Sequence, residues 1–449
     1  MVYKSRATIS VKEKTSSGTY IKATTTCSST STISEEDAYN KACNKAKKIS
    51  IEKLTKEIKL INSVLSEVDI CSNLKLKPHY QFNTDVFNPA AGTFKPAAAF
   101  TGYTAPQIKN IYNIPPISNA QNTRKVVITI VIAYRYPNLQ NDFNKFCSLN
   151  SLPPYTLKIV SLGKSTDSGW AQEECLDTQW AYAINPNACI QVVEAASSGF
   201  NDLFAAVSYA NNPPSNSTLA KTDIISMSWG TNDFGPSQPS YDNVYFTNPS
   251  ICYVASSGDT NSPSWPATSS NVLAAGGSTL VSNPTYTSRV SESTWFNAGC
   301  GLSTVYTKPD FQQKLATLSS FKKRSMPDVS AVANPSTGVQ VVYNGSIYTF
   351  GGTSVSAPIT AGMLSIAIQN RLNLKNTTAI TTAYSYYKSN PSTTTLLQNL
   401  LYDSTKYANL FYDIKIGKDG IYSALPNYDI ATGLGVLSCK ALQNELASY

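Results

Sequence analysis

Six short apolar runs limit the folds open to this chain more than any other feature: Val126 to Ala133, Leu157 to Leu162, Ile190 to Ala195, Ile224 to Met227, Ile251 to Ala255 and Val272 to Ala275. Helix-like stretches such as Ala171 to Ile184 and Leu203 to Asn211 lie between several of them. A strand that is apolar on both faces must be covered on both, and the covering helices have to come from the crossovers between parallel strands. The expected fold class is therefore α/β, a parallel sheet with helices on both faces. Such sheets bind ligands beyond the carboxyl ends of their strands, and that is where polar motifs follow the runs. With 449 residues, 42% of them hydrophobic and 14% charged, the chain can bury a core of this size.

The first part of the chain reads differently. Residues 5 to 25 alternate polar and β-branched residues around Ser16-Ser17-Gly18, a hairpin pattern. Ser34-Glu35-Glu36-Asp37 has the form of a helix cap with an acidic first turn, and helix formers continue to about Leu65. From Asn83 to Phe100 the composition shifts to Asn, Pro, Ala and Gly, as in a linker. This divides the chain into a small basic α+β region over 1–82, a linker over 83–100 and a large domain over 101–449. The only histidine, His79, then falls before the linker and outside the sheet.

Of the net charge of +8, most lies in the first sixty residues, which hold twelve Lys/Arg against six Asp/Glu. The Lys41 to Lys59 stretch reads as a solvated helix face, or else as an anchor for an acidic partner. It lacks the interleaved aromatics of a nucleic-acid surface, so no nucleic acid is expected. No apolar run is long enough for a membrane span, and the first thirty residues carry no apolar leader stretch. Nine scattered cysteines without Cys-x-x-Cys spacing argue against a zinc cage and leave the disulfides undecided.

Three motifs carry chemistry. Gly351-Gly352-Thr353-Ser354-Val355-Ser356-Ala357-Pro358 precedes the apolar helix Ile359 to Ile368. A serine opening a helix after glycines suits a nucleophile with an oxyanion donor in its own N–H, although a plain helix cap explains it too. Glu173 and Asp177, four apart in Trp170-Ala171-Gln172-Glu173-Glu174-Cys175-Leu176-Asp177, share one helical face, where two carboxylates can share a proton. Taken alone they are ordinary exposed carboxylates, as Glu174 beside them is expected to be. Asp259 ends Ser256-Ser257-Gly258-Asp259 directly after a strand, a place for chemistry and also for a common turn. Trp229, in Ser226-Met227-Ser228-Trp229-Gly230, either lines a cleft or packs in the core.

Together these segments resemble the sedolisin, or serine-carboxyl peptidase, family over roughly Tyr103 to Gly435, in the family's order. Gly-Thr-Ser-x-x-x-Pro is shared with subtilisins, which activate the serine with a histidine; His79 is outside the sheet domain on this reading, and the Glu173/Asp177 pair takes that place. The resemblance implies a subtilisin-like sheet, Ser354 as nucleophile, Glu173 as base, Asp177 as its orienter, Asp259 in the oxyanion hole and Trp229 at the substrate cleft. It also implies Ca2+ held by Asp413, Asp429 and the carbonyls of Ile414, Leu425 and Asn427, of which the last two stand where the family has glycines. The expected function is an acid-active endopeptidase acting on peptides or proteins. The alternative is an inactive structural or binding protein that keeps the fold.

Overall fold

The computed structural model describes residues 3–14, 20–31, 40–49, 52, 74–82, 87–88, 93–94, 102–120, 123–377, 380–391 and 395–448. They fall into two compact units, Met1–Leu74 and Lys75–Tyr449.

In the first unit, Tyr3–Lys14 pairs antiparallel with Tyr20–Ser31, with Lys14 opposite Tyr20. Residues 40–49 are helical and bury Ala42 and Ala46, one turn apart. The expected turn at Ser16-Ser17-Gly18, the capping segment Ser34 to Asp37 and most of the helix beyond residue 49 lie outside the described residues, as does most of the 83–100 segment.

The second unit is built on an eight-stranded sheet. In chain order its strands are β1 (Val127–Ala133), β2 (Lys158–Ser161), β3 (Cys189–Ala195), β4 (Ile224–Met227), β5 (Cys252–Ser256), β6 (Leu273–Ser282), β7 (Arg289–Thr294) and β8 (Val329–Val332). The spatial order is 7-6-5-4-1-3-2, with β8 also beside β6, and only β7 runs antiparallel. Every residue of β1 is buried, so both faces of the sheet are covered, as its uninterrupted apolar run requires. β6 outlasts its apolar run because Gly276 and Gly277 continue it rather than turn. A Cβ on Gly276 would lie 2.5 Å from the Pro327 ring, and one on Gly277 2.9 Å from the Trp295 ring, so the strand passes where only glycine fits.

Two helices set up the site. α1 (Ser168–Ile184) is capped by Asp167, whose side chain accepts from the Trp170 N–H at 3.0 Å. α2 (Thr353–Lys375) follows Gly352, whose φ of +99° puts it where a side chain is strained. α2 crosses β1, β4, β5, β6 and β8 and packs along α1. They meet tightly at Gly362, where a Cβ would lie 2.5 Å from the Ile184 Cβ. Among the described residues no helix is long and apolar enough to cross a membrane, and Cys27, Cys43, Cys147, Cys175, Cys189, Cys252, Cys300 and Cys439 are free thiols.

Candidate active site

The chain order of the strands reverses direction beside β1, and the polar ends of β4 and β5 open there, as the rule for open α/β sheets requires. Ser354 lies in the first turn of α2, and Glu173 and Asp177 lie in the second and third turns of α1, which packs along it. All three are fully buried.

The carboxylates are held unequally. Asp177 Oδ1 accepts from the Ser228 hydroxyl at 2.6 Å, while its Oδ2 and both oxygens of Glu173 have no hydrogen-bond partner among the described residues. Two ionised carboxylates so buried and so close are untenable, and a proton between them is the economical resolution. Burial pushes the Glu173 carboxyl well above the usual range; the Asp177 charge adds to the rise, and the nearby Ser354 hydroxyl opposes it. Burial raises Asp177 as well, against the hydrogen bond from Ser228.

Asp259 reaches the serine from β5. Gly258, at φ +116°, turns the chain so that Asp259 Oδ1 accepts from the Thr353 N–H at 2.8 Å and from its hydroxyl at 2.9 Å. Asp259 thus caps α2, one residue before the serine. Its other oxygen, Oδ2, is buried without a hydrogen-bond partner, and burial pushes the carboxyl up to about 7. A carboxyl that is neutral below that pH can donate a hydrogen bond. The Ser354 N–H is the second donor at this point, and it is directed at a peptide carbonyl, that of His79, at 2.9 Å. The Ser354 hydroxyl lies 3.4 Å from the Ser228 carbonyl. Pro358 has no N–H to return to the Ser354 carbonyl, so the first turn of α2 is bonded more loosely than the rest.

Three expectations need correction. His79 is not apart from the sheet: it belongs to the larger unit, and its Nδ1 lies 2.8 Å from the Ser256 hydroxyl at the end of β5. Its ring contacts neither Ser354 nor the carboxylate pair by any hydrogen bond, and burial holds its pKa down to about 4, so it takes no histidine-base part. Glu174 is not solvated. It is buried in a second carboxyl pair with Glu194, and burial with the Glu194 charge raises it well above the usual range. The Trp229 ring does not line the cleft; it is buried against Phe204 and donates to the Val131 carbonyl at 2.8 Å, while its backbone forms the cleft edge by pairing with Pro78.

Ser228 and Thr353 also belong to this cluster, although the sequence pattern assigned them no part in it. Ser228 orients Asp177, and Thr353 orients Asp259. Both stood inside motifs already singled out, and the signal was a hydroxyl next to a strand end or helix start.

Near the C-terminus Asp413 and Asp429 come together at the loop holding Leu425 and Asn427. Both charges help raise the Tyr407 hydroxyl pKa, after its burial and its hydrogen bond to Asp413. Asp413 accepts from the Tyr407 hydroxyl at 2.8 Å and the Asn427 N–H at 2.9 Å, and Lys415 Nζ is 3.5 Å away. Asp429 accepts from the Leu425 N–H at 3.0 Å and the Thr432 N–H at 2.8 Å, and burial raises it to about 6. Among the described residues no group of three or more His, Cys, Asp or Glu could hold a metal, so any ion here would depend on carbonyls such as that of the buried Ile414.

Known proteins resemble this chain in family and in fold. A sequence model described as the Subtilase family matches residues 178–411, starting just after Asp177 and including Asp259 and Ser354. Kumamolisin from Bacillus sp. (strain MN-32) is 27% identical over 394 residues, covering 80% of this chain and 66% of that protein. Sedolisin from Pseudomonas sp. (strain 101) is 28% identical over 403 residues, covering 80% and 62%. The chain thus spans about two thirds of the length of these relatives. A solved structure, Pseudomonas sedolisin (serine-carboxyl proteinase) complexed with two molecules of pseudo-iodotyrostatin, matches with a TM-score of 0.63 at 22% identity, over 78% of this chain and 99% of that one. At that identity the likeness is one of fold.

Proposed function

This chain belongs to the subtilase family, in its sedolisin branch, and from that premise we propose that it is an acid-active serine-carboxyl endopeptidase. The observation that carries the proposal is the buried Glu173 carboxyl, with both oxygens unpartnered, beside Ser354. Ser354 Oγ attacks the carbonyl carbon of a peptide bond while Glu173 takes its proton. Asp177, fixed by Ser228, holds the pair's other proton and keeps Glu173 aimed. The developing oxyanion is met by the Ser354 N–H and the protonated Asp259. Glu173 then returns its proton to the leaving amine, and water releases the acyl group by the reverse steps. Trp229 contributes to substrate binding through its backbone.

The base works only while Glu173 is unprotonated, and the oxyanion donor only while Asp259 is protonated. Activity should therefore lie on the acid side and fall as pH rises through about 7, the value of the Asp259 carboxyl. Peptide cleavage assayed between about pH 3 and about pH 8 tests this, with reaction of a peptide aldehyde at Ser354 as an independent check. A neutral-pH maximum, or unchanged turnover in Ser354→Ala, would reject the proposal; an unlabelled Ser354 would favour the inactive alternative.

We further propose that calcium binds at Asp413, Asp429 and the carbonyls of Ile414, Leu425 and Asn427. Two converging carboxylates with main-chain carbonyls are the hard oxygen donors that calcium prefers. The ion would supply the positive charge that the buried Asp429 lacks and tie the C-terminal loop to the strands beneath it.

A further inference from the structure

One oxygen of Asp259 is held by Thr353, but the other has no partner, so its place depends on the loop that carries it. That loop runs from Gly258 to Pro263 and turns twice through left-handed backbone, at Gly258 (φ +116°) and at Asn261 (φ +55°). Thr260, between the two turns, is exposed. The first turn is pressed on the segment that follows β7: the Gly299 N–H donates to the Gly258 carbonyl at 2.6 Å, and a Cβ on Gly299 would lie 2.1 Å from the Ser257 oxygen. That contact ends one residue before Asp259.

The second turn is held by a residue 158 positions further along the chain. The Asn261 amide has two hydrogens, and both are used. One goes to the Phe296 carbonyl and the other to Asp419 Oδ1, at 2.6 Å for the latter. Asp419 belongs to a short hairpin in which Lys418–Asp419 pairs with Tyr422–Ser423. The hairpin is itself anchored: the Thr294 N–H donates to the Ile416 carbonyl at 2.9 Å, and Gly417, at φ +106°, passes where a Cβ would lie 2.8 Å from the Thr294 nitrogen. Tyr422 and Pro263 both border Gly301, whose added Cβ would lie 3.7 Å from the one and 3.2 Å from the other. The hairpin thus meets the Asp259 loop at Asn261 and again at its far end.

Asp419 is fully buried, and its Oδ2 has no hydrogen-bond partner among the described residues. Burial pushes its carboxyl up to about 7, against the hydrogen bond from Asn261. A buried carboxyl with a bare oxygen costs free energy. What the side chain gives in return is a hold on Asn261, two residues from Asp259. In acid it is neutral, so asparagine is a close isostere and could still accept that bond.

We infer that Asp419 is a positioning residue for the reaction: through Asn261 it fixes the loop that aims the free oxygen of Asp259. The inference rests on the proposed peptidase reading, in which Asp259 is an oxyanion donor. Such a donor works only where it points at the developing charge, and a misplacement of about 1 Å can cost about a hundredfold in rate. Asp419 acts at one remove and supplies no donor of its own to the reacting bond. Its effect should therefore fall on turnover, and only while the Asp259 side chain is present.

The test measures kcat and KM of the full chain on an internally quenched peptide in acid, with melting temperature as the check on folding. Asp419→Ala should lower kcat about tenfold at unchanged KM, less than the loss of an oxyanion donor because Asp259 is displaced and not removed. Asp419→Asn should recover most of that loss, since its amide oxygen accepts the same hydrogen bond. In an Asp259→Ala background, adding Asp419→Ala should lower kcat by less than about twofold, because the group it positions is gone. Asn261→Gly keeps the left-handed backbone and leaves the hairpin sequence intact, so it should show the same loss and decides the matter if Asp419→Ala does not fold. An unchanged kcat in these variants, a loss carried by KM, no recovery in Asp419→Asn, or an equal loss with and without the Asp259 side chain overturns the inference and leaves the peptidase reading standing. If the wild-type chain cleaves no peptide, the peptidase reading fails and the inference with it.

Discussion

Of the places in the larger unit that bring aspartate or glutamate side chains together, the Asp413/Asp429 loop and the Glu173/Asp177/Asp259 cluster are treated oppositely. At the Asp413/Asp429 loop each carboxylate is met by N–H and O–H donors on both of its oxygens. Between α1 and the head of α2, Glu173 has no donor on either oxygen, and Asp177 and Asp259 each keep one oxygen bare. Saturated carboxylates are anions held in place and suit a structural charge. Bare buried ones are forced to hold protons, and protons that can move are what acid–base chemistry needs.

The largest effect expected from breaking this contrast is on turnover. Glu173→Gln should lower peptide cleavage by about a hundredfold or more, the usual worth of a general base. Since it also removes a buried charge, its melting temperature should not fall. Asp429→Asn should do the reverse, keeping turnover per folded molecule and losing stability. Equal damage to turnover from both would erase the distinction.

A finer test separates the donor from the charge at Asp259. Asp259→Ala should cost about a hundredfold or more through loss of an oxyanion donor. Asp259→Asn retains an N–H donor that does not titrate, so it should recover part of that loss and stay active above about pH 7, where the wild-type carboxyl ionises. An Asp259→Asn pH profile identical to that of the wild type would remove Asp259 from the oxyanion hole.

Smaller effects concern stability. Asp259 and Asp242 are each pushed up to about 7 by burial, so they ionise in the unfolded chain first as pH rises. Their contribution favours the folded state below the ordinary aspartate range and is lost progressively up to about pH 7. Thermal unfolding should therefore occur at a higher temperature in mild acid than at neutral pH; the opposite trend would count against these carboxyls being neutral. Smallest of all, chelation should lower the melting temperature by a few degrees without altering the catalytic pH profile, and metal analysis should find calcium lost in Asp413→Ala. An unchanged melting temperature would dismiss the ion.

The sheet was legible because burial on both faces leaves an unbroken apolar run; Ile224–Met227 was delimited to the residue. The Glu173/Asp177 pair was legible because helical spacing fixes which side chains share a face. Glu174 was misjudged for the complementary reason: α1 is enclosed between the sheet and other helices, so even its flanks are interior, and periodicity no longer separates inside from outside. His79 was misplaced because it is held by pairs of two-residue strands. Such pairing uses backbone groups, which every residue has, and leaves no pattern in the side chains.

The contact of Gly362 with Ile184 works as a fulcrum. From it to Ser354 runs an arm of eight residues, about 12 Å at the helical rise. Tilting that arm by about 5° would swing the hydroxyl about 1 Å off the carboxylates, a displacement that costs on the order of a hundredfold in rate. The mechanical tolerance of the chemistry is thus set by a missing methyl group two helical turns away from it.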